Sequence, residues 1–316
     1  MSAVTRVGFV GLGTMGSRMA PHLLRAGHPL VVTDVRGETA DALVAEGATW
    51  ADDPAGVAAA SDVVLLSLPT PAIVESVVAG PGGILETVRE GHVVFDTSTN
   101  SRAVVLRLAS LLAERGAHLL DAPVSGGPTG AESGRLAVLV GGDADVFEQN
   151  RALLETFADR PVRVGDVGHA TVAKLVHNSM SYMINTAFAE AFSVGVRAGV
   201  DPVTLWAALR QGSLGRVRTF DRMHRQFLPG TYDPPMFALE LAHKDLSLAT
   251  ELGRDVGVPM RLAAAAHAEM TEALGRGWGA LDSRVSMLLQ LERAGVELHV
   301  DPAELQAVLD ADGEDA

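Results

Sequence analysis

A doubly wound α/β half with a parallel sheet, followed by an all-helical half, is the architecture this 316-residue sequence predicts. Three observations predict it. Short apolar runs alternate with helix-like stretches over about the first 160 residues. The first of those runs opens directly into three glycines spaced to turn a strand into a helix. Beyond Val200 the strand-like runs stop, and only helix-length patterns and polar connections remain.

The first run, from Thr5 to Val10, leads into GLGTMGSRMAPHLLRAGH, where Gly11, Gly13 and Gly16 make the G-x-G-x-x-G spacing. The first glycine permits the tight turn, the second lets backbone approach a pyrophosphate, and the third lets the helix pack on the strand. Leu12, Thr14 and Met15 belong to the same turn and join it as candidate cofactor contacts. This is the signature of a Rossmann-type dinucleotide site, with a tight turn lacking a ligand as the plainer reading. Gly27 stops the helix, and PLVVTD gives a second strand ending at Asp34. A carboxylate there accepts hydrogen bonds from ribose hydroxyls and repels a 2′-phosphate, so NAD is expected, with NADP the alternative because Arg36 follows two residues on. Asp34 would otherwise simply cap the next helix.

An amphipathic stretch runs to Gly47, and a short element lies near Trp50. SDVVLLSLPTPAIVESVV then reads as strand, loop and helix, with Leu68 and Pro69 beyond the carboxyl end of the strand, where open parallel sheets bind ligands. HVVFDTSTNS and AHLLDAPVSGGPTGAESGRLAVLVGGD are each a buried strand running into small polar residues and glycine. The loop Ser125, Gly126, Gly127 offers backbone N–H groups and one hydroxyl, as a carboxylate pocket needs; turn-forming glycines are the alternative.

From Gly165 to Val200 the chain predicts a long helix. Between Thr171 and Arg197 only Lys174, His177, Glu190 and Arg197 are titratable, so the helix is apolar on nearly every face and is expected to be buried, over about 40 Å. Lys174 and Asn178 are four apart and share one side. A lysine reaching water near the helix start, beside a satisfied core amide, would be the plainer account of the pair. The expected division is 1–164 for the dinucleotide-binding domain and 165–316 for an all-helical domain, with 165–200 as the helix between them.

After Val200 come a short helix from Asp201 to Leu209, with Asp201 as its cap and Pro202 in its first position, and a polar connection, GSLGRVRTFDRMHRQFLPGTYDPPM. FALELAHKDLSLATELGRDVGVP reads as a helix broken at Gly257 and Pro259, and MRLAAAAHAEMTEALGRGW and SRVSMLLQLERAGV give two more. The acidic end, DPAELQAVLDADGEDA, is expected to fray.

Composition narrows the function classes. Hydrophobic residues are 47% and charged residues 20%, the balance of a soluble globular chain. A net charge of −14 without a basic cluster argues against nucleic acid and anionic membranes as partners. No cysteine is present, which excludes disulfides, thiolate nucleophiles and cysteine zinc sites and agrees with a reducing compartment. Outside the long helix no run of about 18 apolar residues appears, and the amino terminus enters a strand at once, so a cytoplasmic protein is expected. The ten histidines show no metal-ligand spacing, and His224 and His267 are read as structural or solvated.

Taken together, GFVGLGTMG with RAGH, LPTPAIVE, DTSTNS, DAPVSGGPTGAESGRLAVLVGG, the helix with Lys174 and Asn178, and FALELAHKDLSLA resemble the β-hydroxyacid dehydrogenase family, over about residues 5 to 295. Its members include 3-hydroxyisobutyrate dehydrogenase and tartronate semialdehyde reductase, and 6-phosphogluconate dehydrogenase is related. The resemblance implies a nicotinamide-dependent oxidoreductase of small β-hydroxy acids. By the same resemblance Lys174 is the catalytic acid and base, Ser125, Gly126, Gly127 and Asn178 hold substrate, and Leu68, Pro69, Thr99 and Lys244 approach the cofactor. Three positions depart from the family pattern: His177 stands where an asparagine is common, Ala170 for a glycine, and Arg102 for a proline.

The residues suit that chemistry. Burial of Lys174 disfavours its charged form, making a neutral amine available to take the hydroxyl proton, while Asn178 fixes the reacting carbon. Two rivals are an imine reductase on the same fold, which usually lacks the lysine, and a non-catalytic dinucleotide-dependent binding protein. A helix apolar all round also needs more cover than about 115 following residues supply, so a homodimer or higher homo-oligomer is expected, as the resemblance also implies.

Overall fold

The parallel strands are short apolar runs because both faces of their sheet are covered. β1 (Val7–Val10), β2 (Leu30–Thr33), β3 (Thr49–Trp50), β4 (Val63–Leu66), β5 (Val93–Asp96) and β6 (His118–Asp121) pair in parallel in the order β3-β2-β1-β4-β5-β6. Successive side chains alternate between faces. Val7, Phe9, Val63 and Leu65 join one core with Met19, Leu23 and Phe147, while Val10, Val64 and Leu66 join the other with Val74, Leu108 and Leu112. The structure, a computed structural model, describes residues 5–200, 202–216, 221–240, 242–243, 246, 250, 254, 257–295 and 297–313.

Three of the helices between these strands start on capping side chains. α1 (Gly16–Arg25) follows β1, and α2 (Asp41–Ala45) follows β2. α3 (Pro54–Ala60) and α4 (Pro71–Ala79) each carry proline in the first turn behind a capping side chain, Asp53 accepting from Gly56 N and Thr70 from Ile73 N. α5 (Arg102–Ala113) is capped by Ser101, which accepts from Val104 N.

Beyond β6 the sheet departs from the parallel expectation. β7 (Val124–Ser125), α6 (Gly127–Ser133) and β8 (Leu136–Gly141) follow closely, and β8 runs antiparallel to both β6 and β7. The 126–135 connection is too short for a crossover, which takes a dozen or more residues, so the chain must come straight back. α7 (Ala144–Leu154) then carries it to β9 (Ala158–Gly165), parallel to β8.

α8 spans His169–Arg197. The chain divides into compact units Met1–Met180 and Ser181–Ala316, so the first turns of α8 belong with the sheet. There Ala170, Thr171 and Lys174 are buried along one stripe, while Val172, Leu175 and Val176 on the next are exposed. Ile184, Phe188 and Val196, further along, are exposed too. The expectation of a helix buried on every side is therefore not met within one chain: among the described residues of the sheet unit, the stripe carrying Ala170, Thr171 and Lys174 is the buried one.

In the second unit α9 (Pro202–Gln211) starts at the expected proline, while its cap Asp201 lies outside the described residues. α10 (Ser213–Arg216) and helices Arg261–Gly275 and Leu288–Ala294 follow. Residues 239–240, 242–243, 246, 250 and 254 are helical, the rest of that expected helix lying outside the described residues. Leu239, Ala273, Val285 and Leu289 form its core with Tyr232. Glu190 of α8 accepts from Leu262 N and Ala263 N and so caps the helix from Arg261. The acidic end, expected to fray, is instead helical over Pro302–Gly313, because Asp301 accepts from Ala303 N and Pro302 stands in the first position. Among the described residues no helix is long and apolar enough to cross a membrane.

Candidate active site

The glycine turn closes as its spacing predicts. Gly11 has φ +95°, a value that favours glycine, and a Cβ there would strike the Ser67 carbonyl; at Gly16 it would strike the Gly11 carbonyl. Strand, turn and helix are therefore in backbone contact. At Gly13 a Cβ would meet nothing within 4 Å, so the space in front of the second glycine is open. No side chain caps the first turn of α1; Ser17 N and Arg18 N already bond the Gly13 and Met15 carbonyls, so an anion here would be met by the backbone of the glycine turn. A cavity of about 550 Å³ lies here, lined by Gly11, Gly13, Thr14, Met15, Asp34, Leu68 and Pro69 among others, with Val35, Arg36 and Ile73. Open space at the central glycine, an uncapped helix start and a carboxylate at the far rim fit a dinucleotide.

Asp34 is fastened from both sides. One carboxylate oxygen accepts from Leu12 N at 2.7 Å and the other from Arg36 N at 3.0 Å, with the Arg36 guanidinium 3.9 Å away. Two of a carboxylate's roughly four acceptor sites remain for ribose hydroxyls. Leu12, buried, contributes this backbone bond and does not line the cavity; Gly16 does not line it either.

A second cavity of about 340 Å³ shares Met15, Ser67, Leu68 and Pro69 with the first. Thr97, Ser98, Thr99, Val124, Ser125, Gly126, Gly127, Lys174 and Asn178 complete its lining. The fold thus brings together every residue expected to meet substrate. Lys174 is the only charged side chain in that lining among the described residues. It is 8% exposed, and burial pushes its amine below the ordinary lysine value. No carboxylate pairs with it among the described residues. Lys244 lies outside the described residues. Arg102 is exposed and its side chain lies beside Gly168, outside the lining, whereas the His177 ring stands 3.4 Å from the Ser125 hydroxyl.

Two aspartates that the sequence motifs did not single out hold these loops. Asp96 ends β5 and Asp121 ends β6, side by side in register. Asp96 accepts from Ser98 N at 3.0 Å and Asn100 Nδ2 at 2.7 Å, and Ser98 Oγ in turn accepts from Leu68 N at 2.9 Å. Burial, opposed by those hydrogen bonds, raises its pKa above the carboxylate norm. Asp121 is 1% exposed and accepts from Gly168 N at 2.7 Å and Thr171 N at 2.6 Å, fixing the start of α8 one turn ahead of Lys174. Gly141 of β8 leaves room for this: a Cβ there would lie 2.5 Å from Asp121 Oδ1 and 3.0 Å from Ala170 N. The signal available was a single acidic residue ending each of two apolar strands, VVFD and HLLD.

Comparisons with known proteins agree with this geometry. Residues 6–168 match the NAD binding domain of 6-phosphogluconate dehydrogenase, and residues 168–291 match the NAD-binding of NADP-dependent 3-hydroxyisobutyrate dehydrogenase. The chain is 35% identical to 2-(hydroxymethyl)glutarate dehydrogenase of Eubacterium barkeri over 94% of this chain and 99% of that one. A solved structure of Mycobacterium tuberculosis 3-hydroxyisobutyrate dehydrogenase with L-serine is 28% identical, with a TM-score of 0.62 over 90% of this chain and 99% of that one. An imine reductase from Pseudomonas sp. shares the fold alone, at 21% identity and a TM-score of 0.76 over 90% of this chain and 98% of that one. Matched by family models through both halves, and by a relative at 35% identity along nearly its whole length, the chain belongs to the β-hydroxyacid dehydrogenase family and takes a nicotinamide cofactor, NAD or NADP.

Proposed function

We propose that the protein interconverts a short β-hydroxy acid and its semialdehyde or keto form, with Lys174 as acid and base and NAD preferred to NADP. The observation that carries the reading is Lys174 itself, a buried amine with no carboxylate partner among the described residues, in a small polar cavity that shares a wall with the dinucleotide cavity. A bound nicotinamide supplies the hydride acceptor. In the oxidising direction neutral Lys174 Nζ takes the proton of the substrate hydroxyl, and in the reducing direction its ammonium returns that proton to the carbonyl oxygen. Asn178, one turn on, positions the substrate with its amide. The Ser125 hydroxyl and the backbone N–H groups at Gly126 and Gly127 bind the carboxylate, the positive φ values of +129° and +63° at the two glycines permitting that loop. Met15, Leu68, Pro69 and Thr99 would meet the cofactor from the substrate side, and Lys244 is proposed as a further cofactor contact from the family resemblance.

In the same reading residues 1–164 bind the dinucleotide, residues 165–316 complete the substrate domain, and the protein works in the cytoplasm. The exposed stripe Val172, Leu175 and Val176, with Ile184 and Phe188, favours a homodimer, since a second copy would remove these apolar side chains from water. Light scattering that gave a stable, active species near 33 kDa would sink the dimer.

The test of function is a substrate panel run with NAD and NADP in parallel: 3-hydroxyisobutyrate, glycerate, 4-hydroxybutyrate and longer β-hydroxy acids, with a cyclic imine and NADPH as the opposing arm. Turnover of hydroxy acids that is lost in Lys174→Ala supports the reading. Reduction of the imine without hydroxy acid oxidation overturns it.

A further inference from the structure

We propose that His177 is a positioning residue that holds the Ser125 hydroxyl as a hydrogen-bond donor toward the substrate carboxylate. The proposal rests on the reading of the second cavity as the substrate site. Three observations carry it. His177 Nε2 lies 3.4 Å from Ser125 Oγ, across 52 residues of sequence. Ser125 pairs with Ala137 where β7 meets β8, so the ladder holds its backbone and leaves the hydroxyl as its free rotor. His177 itself is exposed and does not line the cavity, although its neighbour Asn178 and Lys174, one turn earlier, both do. The ring therefore meets a lining residue without lining the cavity itself.

The chemistry follows from counting protons. A serine hydroxyl has one hydrogen and two lone pairs, and a carboxylate accepts without donating. When His177 carries hydrogen on Nε2, as one neutral tautomer or as imidazolium, it donates to Ser125 Oγ and leaves the serine hydrogen for the cavity. The opposite tautomer would draw that hydrogen away and turn lone pairs toward the anion. A bound carboxylate selects the first arrangement. At 3.4 Å the contact is long, as such bonds often are before ligand binds. Water competes for an exposed ring, so the effect belongs in substrate binding and is modest, about three- to tenfold.

A double-mutant cycle tests this. His177→Leu, Ser125→Ala and the double variant are compared with wild type in hydroxy acid KM and kcat, and in calorimetric Kd of isobutyrate, a carboxylate with no hydroxyl to oxidise, for the NADH-loaded protein. His177→Leu is expected to raise KM and Kd about three- to tenfold while kcat changes less than about twofold, and to add nothing once Ser125 is alanine. His177→Gln, a neutral donor, is expected to restore wild-type binding within about twofold. An equal effect of His177→Leu with and without the serine overturns the proposal, as does a glutamine variant that behaves like leucine, or a wild type that binds no isobutyrate. Coupling in isobutyrate binding in a protein that oxidises no hydroxy acid would instead refute the proposed reaction and leave the role of His177 standing.

Discussion

Replacing Asp121 by asparagine should loosen the start of α8 and with it the lysine one turn later. The carboxylate is 1% exposed and accepts two backbone N–H groups, from Gly168 at 2.7 Å and Thr171 at 2.6 Å. An amide keeps one acceptor and points a donor at the other N–H. One hydrogen bond to a charged group is then lost, at about 1.5–3 kcal/mol, and buried donors are left facing each other, at about 1–3 kcal/mol more. A loss of about 3–5 kcal/mol is expected, measured as the difference in urea unfolding free energy followed by far-UV circular dichroism. Misplacing a catalytic group by about 1 Å costs up to 10²-fold, so kcat should fall tenfold or more. Cofactor Kd should hold, because Asp121 does not line the dinucleotide cavity. A destabilisation below about 1 kcal/mol, or full turnover in a destabilised protein, would refute the link between this carboxylate and the lysine.

Lys174→Ala should lower kcat by about 10² or more with cofactor affinity nearly intact, and in the wild type the oxidation rate should rise with pH to a plateau reached below the ordinary lysine pKa of 10.5; a variant with near-normal turnover would place the proton transfer elsewhere. Asp34→Ser should move the kcat/KM ratio toward NADP, by removing the charge that repels a 2′-phosphate while leaving Arg36, and a wild type already preferring NADP would show that Arg36 dominates. His92 is 4% exposed, with neither ring nitrogen bonded among the described residues, and burial, helped by the Arg89 charge, pushes its pKa below 6.5. The unfolded chain then binds the proton more readily, so stability is full above about pH 6.5 and declines below it; His92→Phe should flatten the fall in Tm between pH 7 and 5, and an unchanged slope would clear His92 of that role.

The parts of the site that were legible in sequence are those whose physics is local. Three glycines, a following helix and an acid at the next strand end report a dinucleotide turn within one βαβ unit, and Lys174 and Asn178 report a shared helix side by spacing alone. Asp121 was not legible, because its partners lie 47 and 50 residues away and nothing in HLLDAPVSGG says that the strand end meets a helix start. The Ser125 and His177 contact is hidden for the same reason. The antiparallel return of β8 escaped because its apolar run reads like that of any buried strand, direction being decided by the short 126–135 connection. Burial of α8 is only partial within one chain, and composition, which counts apolar residues, does not say which chain covers them. The closing helix was missed because acidic composition outweighed the Asp301 and Pro302 start signal.

The bare Cα of Gly141 ties a strand of the sheet to the seat of the lysine. Its only register partner on β6 is Asp121, and its missing side chain is the gap through which that aspartate and the first turn of α8 pass each other. In the folded sheet the eighth strand shapes that gap, and with it the seat of the helix that carries the lysine. Turnover is thus expected to depend on the backbone of the eighth strand as well as on the lysine itself. A Gly141→Ala protein would be expected to bind cofactor as the wild type does while losing kcat, since a Cβ there would strike Asp121 Oδ1 and Ala170 N; cofactor titration beside steady-state rates would read the two apart.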